Sequence, residues 1–308
     1  VARRVLLEAT GTTATGRPYM VTRTPFGNDE AVITQPATLA SGDSTRGLLF
    51  FHGAGSNHLD IGVKSKWRLT RDAVIDAGGI LVECRGNGFS DVGDETGTRN
   101  WGREWSRDAY RAAAEIAEER FAVRSWITLS RSMGGVNGKY FATRDDLVAP
   151  KLDGHIDNAA IYSLINCFDS GKFSLHSTFR SGLDRDGFMA ATQALDPARQ
   201  DPQLWQGRKV LVVVGDADTT VVRADHGSQF WSDHHSVLNI AGSTHYVMRG
   251  KGHGTVRGTF ETATMANFIK SCWEQPRVTA RYKGSAQVRG LFDIGADGTL
   301  VQVHSVGR

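Results

Sequence analysis

The spacing of apolar residues changes character along the chain and divides it into three stretches. Residues 1 to about 45 alternate apolar and polar between turn signals, at 4–10, 18–24 and 30–35. That period predicts antiparallel strands at a sheet edge, joined by Gly-, Thr- and Ser-rich links. Further on, the strands become apolar runs at 46–51, 79–84, 126–129, 157–165 and 210–214, as expected for strands buried on both faces of a parallel sheet. Helical stretches separate them: 66–77 closed by Gly78-Gly79, 108–121, 136–143, 222–240 closed by Ala241-Gly242, and 259–273. Within 108–121, Ala109, Ala112, Ala113, Ile116 and Ala117 fall at helical spacing. Residues 244–249 alternate again as a strand. The pattern predicts an α/β protein with a mostly parallel central sheet flanked by helices and antiparallel strands at its N-terminal edge.

Two stretches depart from it. Residues 166–205 are irregular, with Phe168, Phe173, Phe179, Phe188, Met189 and Trp205 scattered among charges. They read either as a short cap or as a surface insertion with its own apolar cluster. Beyond Pro276 the composition shifts, and 278–282, 287–294 and 299–306 look strand-like around an Ala296-Asp297-Gly298 hairpin turn. The expected organisation is one α/β domain over 1–276 and a small β extension over 277–308.

Composition narrows the function classes. The 308 residues suffice for one large α/β core, and 40% hydrophobic with 22% charged residues is ordinary for a globular protein. The net charge of +3 with scattered arginines gives no nucleic-acid footprint. The longest aliphatic run, 210–214, is far too short to span a bilayer, so no membrane span is expected. No secretory signal is visible, which makes the cytoplasm the default compartment. Cys84, Cys167 and Cys272 are distant and odd in number, so they are expected as buried apolar residues rather than a disulfide framework. His234-His235 is expected in solvent at a helix end, and Trp101 and Trp105 are expected to pack. No ligand spacing predicts a metal.

The candidate chemistry begins at 126–135, Trp-Ile-Thr-Leu-Ser-Arg-Ser-Met-Gly-Gly, where an apolar strand breaks into a helix. Such a sharp turn needs small residues at Ser130 and Gly134 and puts Ser132 in strained geometry at the apex, its hydroxyl outward beside the amide of Met133. The motif resembles the nucleophile elbow of the α/β-hydrolase family, with Ser130 in place of the usual first glycine. Upstream, an apolar strand ends in His52-Gly53-Ala54-Gly55, which the residues alone leave open between a tight βα turn and an anion-holding loop. Its resemblance to the family's oxyanion loop implies that the amides of Ala54 and Met133 hold a negative oxygen. Arg85-Gly86-Asn87-Gly88-Phe89-Ser90 is similar to the loop after the next core strand, which carries no catalytic group. Gly215-Asp216-Ala217-Asp218 resembles the acid turn and implies Asp218, with Asp216 as the nearer alternative, expected to stabilise the turn, and Asp169 as the fallback acid. Gly250-Lys251-Gly252-His253-Gly254 is similar to the family's histidine loop and implies His253, 35 positions beyond Asp218. His245 competes, but it falls inside a strand rather than at a strand end.

The order Ser132, Asp218, His253 is the order that family uses, and the resemblance runs over about residues 48–273. It implies acyl transfer to water through an acyl-serine, without a cofactor. A serine hydroxyl needs a base, the base needs an acid to fix its tautomer, and each oxyanion donor lowers the barrier by ~3 kcal/mol. The default substrate is a small-molecule or glycan ester. Peptidase, amidase or acyltransferase chemistry on the same residues is the alternative, as is a non-enzymatic binding protein on a hydrolase scaffold. The C-terminal tail also resembles, weakly, short β modules of phage tail-associated proteins, which makes a virion tail the other location.

Overall fold

In the computed structural model, β1 (Leu6–Thr12), β2 (Pro18–Phe26) and β3 (Asp29–Pro36) form an antiparallel meander at one edge of a nine-stranded sheet. The structure describes residues 4–54, 58–64, 67–87, 100–171, 175, 179, 182–253 and 263–274, and the backbone of 290–294 and 300–305. β4 (Ser44–Phe51), β5 (Ile80–Glu83), β6 (Ala122–Arg131), β7 (Leu152–Asn158), β8 (Val210–Gly215) and β9 (Thr244–Met248) complete the sheet. The strand order is β1-β2-β3-β5-β4-β6-β7-β8-β9. β3 pairs antiparallel with β5, and every pairing from β5 through β9 is parallel.

The apolar runs explain the layering. Successive residues of a strand face opposite sides of a sheet. In β4, Leu49 and Phe51 enter one cluster with Tyr110, Ala113 and Ala117, whereas Leu48 and Phe50 enter another with Trp67, Val74, Met265 and Ile269. The first set comes from α2 (Glu104–Arg120); the second comes from α1 (Arg68–Asp76), its N-cap residue Trp67, and the helix Ala263–Trp273. One strand therefore feeds a core on each face, and the sheet is a middle layer between helices. α3 (Gly135–Thr143) follows β6 directly, and α4 (Leu164–Ser170), α5 (Arg185–Thr192) and α6 (Gly227–His234) come before Ala263–Trp273, which is α7.

Several expectations shift. The strand expected over 157–165 is β7, Leu152–Asn158, and Ser163 caps α4 by accepting the amide of Asn166. β7 hid from the apolar pattern because Asp153, His155, Asp157 and Asn158 are polar, and the apolar residues after it lie in a buried connection. The helix expected over 222–240 contracts to Gly227–His234. His234 is buried rather than solvated, with its Nε2 3.2 Å from the Tyr162 hydroxyl, while its neighbour His235 is exposed. The three cysteines are free thiols, Cys84 and Cys167 buried and Cys272 half-buried. No helix among the described residues is long and apolar enough to cross a membrane.

The chain divides into two compact units, Val1–Trp273 and Glu274–Arg308. In the second, β10 (Gly290–Ile294) pairs antiparallel with β11 (Leu300–Ser305). The strand expected at 278–282 and the turn at 296–298 lie outside the described residues.

Candidate active site

β4, β6 and β8 run parallel, so their C-terminal ends bring the three candidate segments to one rim of the sheet. Ser132 follows β6 immediately and holds φ at 51°, a left-handed value that a residue with a Cβ adopts only under constraint. The constraint is steric. A Cβ at Gly134 would lie 2.1 Å from the Phe51 carbonyl oxygen, and one at Gly135 would lie 2.3 Å from that of Ile161. The Ser132 carbonyl accepts the Ile161 amide at 2.8 Å, which fixes the turn against the segment after β7.

Ser130, which stands where the resemblance would place glycine, is fully buried. Its Oγ would lie 1.8 Å from a Cβ at position 138, so Gly138 in α3 makes the room that the serine takes up. The missing Cβ at position 138 of the helix leaves room for the strand serine beside the turn Ser132–Gly134.

Ser132 Oγ lies 3.0 Å from His253 Nε2, and His253 Nδ1 lies 2.7 Å from Asp218 Oδ2. Asp218 is buried, and its Oδ1 accepts the amides of Thr220 and Val221, both at 2.9 Å. Those two bonds aim the other carboxylate oxygen at the imidazole. Asp216 accepts the Gly250 amide at 2.6 Å and ties the acid turn to the histidine loop, the turn role expected of it. Asp169 is exposed and pairs with Arg185, with 2.8 Å between Oδ1 and Nε, so the fallback acid is engaged elsewhere. His245 lies in β9, its Nε2 3.1 Å from Ser228 Oγ.

The loop carrying Ala54 lies against the elbow. A Cβ at Gly53 would come within 2.9 Å of Ser132 Cβ and 3.3 Å of the Arg131 carbonyl oxygen. Only glycine permits that approach, which brings the residue before Ala54 against the turn Ser132–Gly134, where Met133 is buried. His52, also buried, shares a hydrogen bond of 2.7 Å between its Nε2 and the Arg85 carbonyl.

Beneath the rim lies a polar frame that the sequence reading did not include. Lys139 and Asp157 form a buried ion pair at 2.7 Å, and Lys139 Nζ also donates to the Ile161 carbonyl at 3.1 Å. Burial pulls the ammonium pKa down and pushes the carboxyl up, and the mutual attraction opposes both shifts. His226 Nδ1 accepts the amides of Tyr162 and Ser163, both at 3.3 Å. Burial, with the Lys139 charge adding to it, lowers that imidazole to about 3 and keeps it neutral as an acceptor. Lys139, Ser132 and His226 thus grip consecutive stretches of 161–163. Their contacts join distant elements, so no local motif announced them.

No family model and no curated protein matches the chain. Solved structures do. Prolyl oligopeptidase B from Galerina marginata superposes with a TM-score of 0.59 at 14% identity, over 88% of this chain and 36% of its own. Oligopeptidase B from Leishmania major gives 0.57 at 13% identity, over 87% of this chain and 36% of its own. An S-formylglutathione hydrolase from Agrobacterium tumefaciens gives 0.58 at 15% identity, over 87% of this chain and 99% of its own. The fold is that of the α/β-hydrolases. This chain spans little more than a third of the length of the two peptidases and nearly all of the smaller enzyme. Within the α/β-hydrolase fold, ligands sit outside the C-terminal ends of the strands, where Ser132, Asp218 and His253 lie.

Proposed function

We propose that this α/β-hydrolase is a serine hydrolase that cleaves an acyl bond through an acyl-Ser132 intermediate. The observation that carries it is the relay Ser132 Oγ–His253–Asp218, at 3.0 and 2.7 Å, built on a serine held at positive φ. His253 Nδ1–H donates a hydrogen bond to Asp218 Oδ2, which leaves the unprotonated Nε2 as the base. Nε2 takes the Ser132 proton as Oγ bonds the carbonyl carbon. The amides of Ala54 and Met133 hold the resulting oxyanion, and the protonated imidazole returns its proton to the leaving group. Water then repeats the sequence on the acyl-enzyme.

The described residues of the stretch 166–205 act as a short cap. Phe168, Phe179 and Phe188 pack in one apolar cluster with Met133, Trp101 and Val221, which joins that stretch to the residue after Ser132. An ester is the first substrate class, with the small hydrolase and an esterase from Pyrococcus furiosus among the fold neighbours. An amide or peptide bond is the second, and several neighbours named as peptidases favour it.

Ser132→Ala is expected to lower kcat on p-nitrophenyl acetate by at least about 10⁴ and to abolish labelling by a fluorophosphonate, with the melting temperature unchanged. Wild-type turnover by that variant would remove the proposal. Comparing p-nitrophenyl esters with peptidyl p-nitroanilides separates the two substrate classes.

A further inference from the structure

His253 stands between Gly252 and Gly254, and glycine gives a backbone the widest choice of conformations. A catalytic base so placed has to be fixed from outside its loop, because near-attack geometry tolerates little displacement. On one side the fixing comes from the acid turn: Asp216 accepts the Gly250 amide, and the Ala217 amide donates to the Lys251 carbonyl at 3.1 Å. Neither bond touches His253 itself.

Asp218 holds the imidazole, and a hold on the main chain of His253 comes from the elbow. Arg131 is the last residue of β6, next to Ser132, and is buried. Its Nη2 donates to the His253 carbonyl at 3.3 Å and its Nη1 to the Asn158 carbonyl, at the end of β7, at 3.4 Å. One planar guanidinium therefore joins the strand bearing the nucleophile, the neighbouring strand and the backbone of the base. A guanidinium suits this task because its donors are set rigidly in one plane, whereas an ammonium is a point donor on a flexible stem.

We infer that Arg131 is a positioning residue, which holds the main chain of His253 so that Nε2 stays within reach of Ser132 Oγ. This rests on the reading of Ser132 and His253 as nucleophile and base. It goes beyond that reading by assigning a function to the residue between Ser130 and Ser132. Arg131 donates to two main-chain carbonyls, so its loss is expected to act on turnover and to leave binding alone.

The test compares wild type, Ser132→Ala, Arg131→Ala and Arg131→Lys on p-nitrophenyl acetate, with melting temperatures and fluorophosphonate labelling rates recorded for each. Arg131→Ala is expected to lower kcat and the labelling rate about 10- to 100-fold at unchanged KM. Free guanidinium at tens of millimolar is expected to restore part of the rate by occupying the vacated site, which a general loss of stability would not allow. Arg131→Lys keeps the charge and serves if the alanine variant does not fold; its kcat is expected to fall at least about tenfold. Folded Arg131 variants with kcat within twofold of wild type, beside an inactive Ser132→Ala, would overturn the positioning role alone. An active Ser132→Ala would overturn the nucleophile assignment and the positioning role together.

Discussion

An imidazole serves as a base where a hydroxyl is in reach of one nitrogen and something fixes the other. His253 meets that requirement, and His245 and His226 fall short of it. His253 has Ser132 on one side and Asp218 on the other. His245 has Ser228 and stacks on Trp231 with ring centroids 5.8 Å apart. His226 has both neighbouring amides on one nitrogen and lies 3.8 Å from Cys167 Sγ on the other, so it serves as a strut. His253→Ala is accordingly expected to remove at least about three orders of magnitude of kcat on an activated ester, and His245→Ala to leave it within about threefold. Inactivation by His245→Ala with an active His253→Ala would transfer the base to β9. The three meeting residues were legible because each stands close to glycine in sequence after an apolar or alternating stretch: Ser132 before Gly134, Asp218 after Gly215, His253 between two glycines. Arg131, Lys139 and His226 were not legible, since nothing near them in sequence specifies what they reach.

At the scale of the element, the elbow and α3 behave as one steric unit. Position 138 carries no Cβ because Ser130 Oγ occupies that space, 1.8 Å from where the Cβ would be. Gly138→Ala must therefore push the helix off the strand and displace Ser132 with it. The expected outcome is a loss of about 1–3 kcal/mol in stability, typical of overpacking, and a drop in kcat of about tenfold or more. Ser130→Gly alone vacates a small volume and is expected to be mild. Combining the two removes the clash, so Ser130→Gly/Gly138→Ala should recover most of the stability lost by Gly138→Ala. Urea unfolding of all four members of this double-mutant cycle measures the coupling, and simple additivity would deny the steric link. The same elements show where sequence reading succeeds and fails. β4 and β8 were found because their residues are apolar on both faces, whereas β7 carries three polar residues, His155, Asp157 and Asn158, into the core and was displaced toward the apolar connection that follows it.

For the whole molecule, the buried titratable groups set how stability varies with pH. Burial holds His226 at about 3 and His234 at about 4, both below the 6.5 of an exposed imidazole. Between those values and 6.5 the unfolded chain binds more protons than the native one, so stability rises with pH across that window and is lost on acidification. Glu83 acts in the opposite sense. It is wholly buried at the end of β5 and accepts the amides of Ile61 and Gly62 at 2.9 and 2.8 Å. Burial outweighs those bonds and raises its pKa to about 8 from 4.5. Between 4.5 and 8 the native state binds the extra proton, so this group's contribution falls as pH rises. Of these three groups, the two histidines outweigh the carboxyl below about 6.5, and burial lowers His58, His155 and His245 in the same sense while it raises Asp145, Asp153, Asp157 and Asp196 in the opposite one; above 6.5 Glu83 pulls stability down by up to about 1.4 kcal/mol per pH unit. Stability is therefore expected to peak near pH 6.5, as read from urea midpoints between pH 4 and 9. Glu83→Gln is the decisive variant. Its amide nitrogen cannot accept from Ile61 or Gly62, so a constant cost is expected at every pH. Its decline between pH 6.5 and 8 should flatten relative to wild type, and an unchanged decline would show that the slope arises from other groups.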